Sequence, residues 1–541
     1  MRPFDGNGAF HPAIADDQLR RASIRGAGIT VFSGGFTLAV QMIATVVLAR
    51  LLTPSDFGLV AMVTTFSLLL INFGLNGFTE AVIQRPQIDR YLVSNLFWIN
   101  VGAGLLLTLG FAASGSLLAR FYHDDRVRYV AAGISVTIFL TTLSVQHLAL
   151  LKRAMRFPSV SLNDIVGRTL YVVVSIVLGW AGWGYWALVT GLIAQALSMA
   201  VGAWLLCRWV PSLPRRAPGT PSMVRFALST YGRFIANYCT WNTDNLLVGW
   251  RLGPVSLGYY KKAYDLFALP ASQLVNPLAG VAVAALSRLK SDPAQYRRYL
   301  LSALGVIAFV GMAVGADLTL VGHDVIRMLL GPKWDESGRI FVYFGPGIGV
   351  MLLYYTHGWI HLSLGHADRW LRWGIVEFTV TVLMFIAGLH WGSVGIALAW
   401  TVSFWVLTFP AFWYAGAPIQ LGVGTVLAAV WRYIVASLGA GIITAILLVS
   451  GPLSSVSGRA MSGWAVAAAH MVISSLLFVV LYLGLVILLH GGYGPVQQLF
   501  RLMNEMIPYE RLFRRRSAPA SPLPASSRVA VGLNDKEAVL D

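Results

Sequence analysis

Apolar runs of about 20 residues follow one another along most of the chain, separated by polar, proline- or glycine-containing stretches. A helix of about 20 apolar residues is long enough to cross the ~30 Å hydrocarbon core of a bilayer. In lipid the backbone must satisfy its own hydrogen bonds, so such runs predict membrane-spanning α-helices. Only 12% of the 541 residues are charged, about half the share of a soluble domain. The sequence therefore predicts an all-α polytopic membrane protein.

About fourteen such spans fit into the chain when charged residues, proline and glycine are taken as boundaries. The predicted spans are 29–52, 57–78, 92–117, 129–150, 161–181, 184–207, 227–250, 256–285, 300–323, 339–363, 370–389, 393–415, 431–450 and 464–489. The longest segment on the predicted outer side runs roughly from His323 to Gly338. A membrane glycosyltransferase or polymerase needs a folded extramembrane region or a charged loop for its catalytic groups. Loops this short argue against an enzyme.

Short matches recur along the chain at a nearly constant distance. The sequence TPSDFG (53–58) resembles GPVSLG (253–258), and the Trp-Gly pair at 183–184 recurs at 391–392. Each match falls at the equivalent place in a unit of six spans. Because six is even, both units run in the same direction. This predicts two six-helix lobes related by a pseudo-two-fold axis along the membrane normal, with two additional C-terminal helices.

The spans and repeats together predict how the chain is divided. The expected segments are a polar, mobile N-terminal tail (1–24), an N-lobe with spans one to six (25–207), a cytoplasmic linker (208–222), a C-lobe with spans seven to twelve (223–415), spans thirteen and fourteen (416–490) and a cytoplasmic, disordered tail (491–541).

Basic residues are unevenly distributed between the two sides of the predicted membrane. Most of the 40 Lys and Arg residues fall in the tails or in loops on one side, as with Lys152, Arg153 and Arg156. Because basic loops stay in the cytoplasm, we expect both termini to be cytoplasmic. This placement also explains the net charge of +17, so we expect no nucleic-acid partner.

The sequence contains no phosphate-binding loop, no metal-spaced His/Cys cluster and no nucleophile elbow. We therefore expect no catalytic residues, no metal and no cofactor. The cysteines, Cys207 and Cys239, both lie in predicted spans and indicate neither a disulfide nor a metal site. His357 and His361 share a helix face, but no acid or third ligand accompanies them. Structural hydrogen bonding is the favoured interpretation of this pair.

The stretch from Arg225 to Asp265 combines the length of a membrane span with polar side chains. A charge at the centre of a lipid-facing helix costs at least ~2.5–3.5 kcal/mol, so such residues face a bundle interior or a watery cavity. Arg233 and Asp244 share a helix face but lie ~16 Å apart along the axis, too far to pair. They indicate either a pathway wall or ion pairs between helices.

Other charged residues in or beside the spans have a local alternative to a cavity role. Arg50 ends the first span and could extend to the outer head groups. Lys261 has Asp265 four residues later, and Arg168 has Asp164 four residues earlier, so each pair could neutralise itself. Cations nevertheless outnumber acids along the central spans. A cationic cavity suits an anionic cargo such as a diphosphate.

The sequence resembles a known transporter family in three stretches. These are LARLLTPSDFGLVAMV (48–63), FGLNGFTEAVIQR (73–85) and TDNLLVGWRLGPVSLGYYKKAYDL (243–266). They resemble the polysaccharide transporter family, the Wzx-type flippases of the multidrug/oligosaccharidyl-lipid/polysaccharide exporter superfamily. The resemblance implies a V-shaped pair of lobes around a cationic cavity. It also implies alternating-access translocation of an undecaprenyl-diphosphate-linked oligosaccharide, from the inner to the outer leaflet of a bacterial inner membrane, for exopolysaccharide or lipopolysaccharide biosynthesis.

Cavity arginines engage the diphosphate in related flippases, and Arg50 and Arg233 are the residues that best match them. Where many relatives carry an Arg before the glycine-rich turn of span seven, this chain departs from the pattern and has Trp250 followed by Arg251. The expected substrate-binding residues are Arg50, Arg168, Arg233, Asp244, Arg251 and Lys261. The expected partners are the lipid-linked oligosaccharide, membrane lipids, and the polysaccharide polymerase and export machinery.

Two further transport functions stay open at this point. A cation-coupled drug exporter of the same superfamily would need an acid in the first span, and residues 29–52 contain none, although Asp244 or Glu377 could substitute. Glu377 is equally explained by a hydrogen bond between helices. A flippase for the peptidoglycan lipid precursor would use similar chemistry on a different head group.

Overall fold

The computed structural model of the chain describes residues 3–6, 8–10, 19–85, 87–215, 219–450 and 464–498. These residues are almost entirely helical. The helices are α1 (Leu19–Leu51), α2 (Pro54–Phe73), α3 (Thr79–Gln84), α4 (Arg90–Tyr122), α5 (Arg126–Arg153), α6 (Phe157–Trp180), α7 (Tyr185–Cys207), α8 (Thr220–Pro270), α9 (Asn276–Arg288), α10 (Pro293–Leu330), α11 (Asp335–Tyr355), α12 (His357–Leu364), α13 (Ala367–Gly388), α14 (Gly392–Gly416), α15 (Val423–Ser450) and α16 (Trp464–His490).

Among the described residues, twelve helical stretches are long and apolar enough to cross a membrane. One of them, Ala367–Ile419, contains both α13 and α14, and another, Trp241–Arg288, contains the end of α8 together with α9. The predicted all-helical, multi-span architecture is confirmed. The predicted count of fourteen spans is not confirmed, because some of the twelve stretches contain more than one helix.

The helices pack in the same order in two successive repeats, α1–α7 and α8–α14. In the first repeat α4 packs against α5, α6 against α7, and α5 against α7. In the second, α10 packs against α11, α13 against α14, and α11 against α14. A five-residue π-helical segment also interrupts the second span of each repeat, at Gly74–Phe78 and at Ala271–Val275. The two repeats therefore share one architecture.

A tight turn separates the first two spans of each repeat. In the first repeat Thr53 caps α2 through a capping box with Asp56, and Pro54 takes the first helical position. In the second repeat α8 is broken at Gly253, whose φ of 80° and ψ of −179° only glycine adopts readily. Pro254 then restarts the helix. α8 thus consists of two halves that correspond to α1 and α2.

The two turns meet at a reciprocal contact between the repeats. A Cβ atom on Gly58 would lie 1.7 Å from the carbonyl oxygen of Pro254, and one on Gly258 would lie 1.9 Å from the carbonyl oxygen of Pro54. An exchange of equivalent contacts is what a two-fold axis produces. Because both helices start at this end and run the same way, the axis lies along the helices. We call this the Thr53 end of the molecule and the opposite end, where α5 finishes, the Lys152 end.

Part of the N-terminal region is among the described residues and contacts the first repeat. α1 begins at Leu19, inside the predicted tail, and residues 3–6 and 8–10 fold against the first repeat. The ring of Phe4 packs against Trp209 in the stretch after α7, with 6.0 Å between ring centroids. The chain from 208 to 215 in turn follows α4. Residues 499–541, most of the predicted C-terminal tail, lie outside the described part of the chain.

The last two helices are attached to α10 of the second repeat. Polar side chains of α10 meet α16, with Asp324 Oδ2 2.8 Å from His470 Nδ1. Ser475 donates to Asp317, and the Tyr482 hydroxyl donates to the carbonyl oxygen of Phe309. Hydrogen bonds such as these add to van der Waals packing between helices in membranes, where the hydrophobic effect does not drive helix association.

Candidate functional site

A cavity of about 300 Å³ lies between the two repeats. One wall belongs to α1, a second to the later half of α8, and a third to the end of α10. The residues with polar groups in its lining are Gln41, Thr45, Lys261, Lys262, Tyr264, Asp265 and Ser272. Most of the remaining lining is aliphatic, so the cavity combines a charged side with an apolar one.

Lys261 and Asp265 form an ion pair on the α8 wall of the cavity. Their Nζ and Oδ1 atoms lie 2.7 Å apart, and the side chains are 33% and 48% exposed. This is the neutralising contact that the spacing of four residues allows. The neighbouring Lys262 also lines the cavity. The wall therefore keeps an excess of positive charge after the pair has formed.

Lys262 connects this wall to the first repeat. Its Nζ atom lies 4.0 Å from the centroid of the Phe57 ring of α2. A cation above an aromatic face is attracted to the negative face of the ring. The sequence shows that Lys261 and Lys262 are adjacent, but it could not show that Lys262 reaches across to the other repeat.

The α1 wall supplies neutral polar groups. Gln41 and Thr45 are four residues apart and therefore point to the same side of α1. They belong to a polar face that the sequence shows on the first span. An amide and a hydroxyl offer both donors and acceptors without adding charge.

The ends of α1 and α10 close the cavity at the Thr53 end by capping each other. Arg50 Nη2 donates to the carbonyl oxygen of Met328, in the last turn of α10, over 3.1 Å. In return, Lys333 Nζ donates to the carbonyl oxygen of Arg50 over 2.9 Å, and Trp334 Nε1 donates to that of Ala49 over 2.8 Å. Carbonyl groups in the last turn of a helix lack partners within the helix. Here each repeat supplies donors for the other.

Trp334 is fully buried in this junction. Its ring packs edge-to-face on Phe57, with 5.5 Å between centroids, and on Tyr259. The tryptophan is held there because α10 extends to Leu330 and α11 starts at Asp335. Most of the predicted outer segment 323–338 is therefore helical, and only a short turn remains between the two helices.

Asp244 lies in the interior of the second repeat and is not among the residues that line the cavity. Its Oδ2 atom accepts hydrogen bonds from the Tyr260 hydroxyl over 2.7 Å and from Trp400 Nε1 over 3.0 Å. The side chain is completely inaccessible to solvent. The sequence left open whether this acid lines a pathway or links helices. Its contacts are those of a link between helices, made with neutral donors instead of a cation.

The other predicted site residues are distributed over the two repeats. Arg168 Nε lies 3.0 Å from Asp164 on the same face of α6, and the two side chains are 42% and 35% exposed. Arg251 is exposed on α8, just before the break at Gly253. Arg233 lies on the first half of α8, and its side chain is outside the described part of the structure. Of the predicted residues, Lys261 lines the cavity.

The histidine pair and Glu377 are engaged in contacts within the second repeat. His357 Nδ1 meets the carbonyl oxygen of Tyr354, and the ring of His361 packs against Tyr414. Glu377 hydrogen bonds with the Tyr354 side chain. Within the described ranges, no group of three or more His, Cys, Asp or Glu residues could hold a metal ion. These contacts agree with the structural interpretation of the histidines.

Solved structures share the fold. The lipid II flippase MurJ, in an inward closed conformation, aligns with a TM-score of 0.66 and 12% identity, over 85% of this chain and 98% of that one. An inward-facing multidrug resistance MATE family transporter of the MOP superfamily aligns with a TM-score of 0.58 and 12% identity, over 71% of this chain and 94% of that one.

Sequence relatives point to one family. The family described as "Polysaccharide biosynthesis protein" matches residues 47–339, more than half of the chain. The succinoglycan biosynthesis transport protein ExoT of Rhizobium meliloti is 22% identical over 70% of this chain and 76% of its own length. The lipopolysaccharide biosynthesis protein WzxC of Escherichia coli is 21% identical over 59% of this chain and 65% of its own length. The chain therefore belongs to the polysaccharide biosynthesis protein family, the Wzx-type polysaccharide transporters of the multidrug/oligosaccharidyl-lipid/polysaccharide exporter superfamily.

Proposed function

We propose that the protein is a flippase that moves an undecaprenyl-diphosphate-linked oligosaccharide from the inner to the outer leaflet of a bacterial inner membrane, by alternating access. The observation that carries this proposal is the cavity between the repeats. It places Lys261 and Lys262 opposite the neutral polar groups of α1, within an otherwise aliphatic lining. A diphosphate on a long apolar chain needs both kinds of surface at once.

Lys261 and Lys262 would hold the diphosphate. Ammonium groups bind phosphate oxygens as point charges, and a partly dehydrated cavity strengthens that attraction. Asp265 would keep Lys261 in position when the cavity is empty and would release it to the cargo. Arg233, on the half of α8 that packs along α2, is proposed as a further contact. Asp244 is proposed as a positioning residue, since Tyr260 and Trp400 occupy its carboxylate.

Contacts at the Thr53 end and the placement of basic residues at the Lys152 end support a direction of access. At the Thr53 end the repeats touch through Gly58 and Pro254 and through the capped ends of α1 and α10. At the Lys152 end the first half of α8 packs against the first repeat, whereas the principal packing partners of α9 and α12 are helices of their own repeat. Lys152, Arg153 and Arg156 lie at that end, which the positive-inside rule assigns to the cytoplasm. The cargo would then enter from the cytoplasmic side.

Loss of the gene in its native cell tests the function. We expect surface polysaccharide to disappear and the lipid-linked oligosaccharide to accumulate on the inner leaflet, where its chemical analysis would identify the sugar. Polysaccharide polymerase and export proteins would act on the product at the outer face. Normal polymer together with new sensitivity to cationic drugs would contradict the proposal and favour a drug exporter. Arrest of peptidoglycan synthesis would favour the lipid-precursor flippase.

A matched pair of variants ties the function to the cavity. Lys262→Gln removes a cavity cation, and we expect the inner-leaflet intermediate to accumulate. Lys290→Gln removes a cation from the turn after α9 and should leave export unchanged. Equal export by both variants, at equal protein levels, would contradict the assignment of the cavity.

A further inference from the structure

We propose that Arg50, Lys333 and Trp334 form the exit gate of the cavity, and that the anionic head group of the cargo opens this gate by drawing Arg50 away from the carbonyl oxygen of Met328. The inference rests on the proposed function for the identity of the cargo. The gate itself rests on the contacts between α1 and α10.

Mutual capping makes the closed gate a cooperative unit. Arg50 donates to the last turn of α10, and the turn after α10 donates back to Arg50 and Ala49. If the repeats separate at this point, all three carbonyl groups lose these donors together. Each bond therefore favours the others, because the first one formed already aligns the two helix ends.

The gate adjoins the cavity directly. Thr45 and Val46 of the α1 wall lie about one helical turn before Arg50. On the other side, Leu329 of the α10 wall follows Met328 in sequence. An anion held in the cavity would thus be within reach of the long Arg50 side chain once it advanced by about one turn.

A second connection runs through aromatic rings. Lys262 of the cavity wall lies over the ring of Phe57, and that ring packs on Trp334. A cargo that draws Lys262 towards the cavity would remove the cation from the Phe57 face. The residue that binds the cargo therefore touches the residue that supports the gate.

The chemistry of Arg50 favours exchange of its partner. In the closed state its guanidinium donates to the neutral oxygen of Met328, and the side chain is exposed. A phosphate group offers two charged oxygens to the two parallel N–H groups of the fork, a stronger arrangement. Lysine, a point charge, cannot form that two-pronged contact.

The gate is tested by labelling a cavity cysteine. Thr45→Cys is introduced into a Cys239→Ser chain, since Cys239 is exposed and Cys207 is buried. A membrane-impermeant maleimide is applied to membrane vesicles of either orientation. Trp334→Phe keeps a ring against Phe57 but removes the donor to Ala49, and Lys333→Met removes the donor to Arg50. We expect each to raise labelling from the Thr53 side about two- to tenfold, the effect of one hydrogen bond on an open–closed equilibrium.

Two variants at the Thr53 end serve as controls for nonspecific loosening of the structure there. Trp183→Phe changes an exposed indole in the α6–α7 turn, and Arg120→Gln removes an exposed cation in the last turn of α4. Neither should change labelling of the cavity cysteine. If Trp334→Phe and Lys333→Met label like these controls while remaining folded, the gate is refuted.

The role of the anion is tested with farnesyl diphosphate as the probe and farnesol as its uncharged control. In the chain with native Arg50, we expect the diphosphate, and not farnesol, to raise labelling from the Thr53 side. Arg50→Gln should label strongly without the probe and show no further response, and Arg50→Lys should respond weakly. An undiminished response in Arg50→Gln would refute the exchange of partners.

The same data separate the inference from the proposed function. If gate variants raise labelling but the diphosphate has no effect in the chain with native Arg50, opening by the anion is refuted, even if the gene-loss experiment establishes the flippase. If the diphosphate opens the gate through Arg50 but gene loss leaves polysaccharide export intact, the inference stands for a different diphosphate lipid and the proposed function fails.

Discussion

The indole N–H of Trp400 donates to the carboxylate of Asp244, joining α14 to α8 across 156 residues of sequence. Tyr260, from the other half of α8, donates to the same oxygen atom. One buried carboxylate therefore holds three helical segments of the second repeat in register, about two and a half turns from the break at Gly253. The acid that stands out most in the sequence of α8 links the two halves of this helix to α14.

Replacing Asp244 should affect folding before it affects transport. Asp244→Ala leaves the Tyr260 hydroxyl and the Trp400 N–H buried without an acceptor, a loss of about 2–5 kcal/mol for a hydrogen-bonded buried acid. Asp244→Asn retains a carbonyl acceptor and should cost less. Thermal unfolding in detergent measures the stability of the two variants relative to the unmodified protein. A fully stable Asp244→Ala protein that no longer transports would instead indicate that Asp244 acts directly in the transport pathway.

The contact between Gly58 and Pro254 leaves no space for a side chain. Gly58→Ala would place a methyl group against a backbone oxygen, so the two repeats must shift apart, at an expected cost of about 1–3 kcal/mol or more. Gly102→Ala is a suitable control, because a Cβ at Gly102 meets nothing within 4 Å. Yield and melting temperature should fall for the first variant alone. Equal stability of the two variants would show that the contact is not close in solution.

The Lys261–Asp265 pair offers a test of whether Lys261 binds cargo or only its neighbour. If Lys261 binds the diphosphate, Lys261→Ala should reduce transport about tenfold or more, the effect of losing a hydrogen bond to a charged group. The double variant Lys261→Ala/Asp265→Ala should then remain impaired. Export of surface polymer at matched expression gives the measurement. Recovery in the double variant would assign Lys261 a purely local role.

Asp124, in the turn between α4 and α5, gives a prediction for pH. Hydrogen bonding to Arg126 lowers the pKa of Asp124 below its ordinary value. Because the pKa is lower in the folded state, the ionised carboxylate stabilises the protein above the ordinary pKa. This stabilisation is lost as the pH falls through the pKa of the folded state. Asp124→Asn should therefore cost up to ~1 kcal/mol at neutral pH and nothing well below about pH 4. A stability difference that persists unchanged at low pH would contradict this origin.

Local sequence patterns predicted several features because those features depend on neighbouring residues. The contact of Arg168 with Asp164 follows from their spacing of four, and the break in α8 follows from Gly253 and Pro254. The repeats were also visible, since the same turn is encoded twice.

Contacts between distant segments could not be predicted in this way. Nothing in the sequence near Asp244 indicates that Trp400 will donate to it, because a tryptophan in an apolar helix can equally well face lipid. The contacts of Lys333 and Trp334 with the end of α1 could not be predicted either. Their donors matter only when the end of α1 lies beside them, and that depends on how the two repeats are placed.

The reciprocal contact of Gly58 and Gly258 with the opposite prolines has a mechanical consequence. It lies near one end of the molecule, and α2 with its continuation extends ~40 Å beyond Gly58 towards the other end. While the Thr53 end is closed, we expect this contact to act as the fulcrum of a long lever. A rotation of ~10° about it displaces the far end of the helices by ~7 Å. Close backbone packing at one end thus allows a small rotation to produce a large displacement at the opposite end.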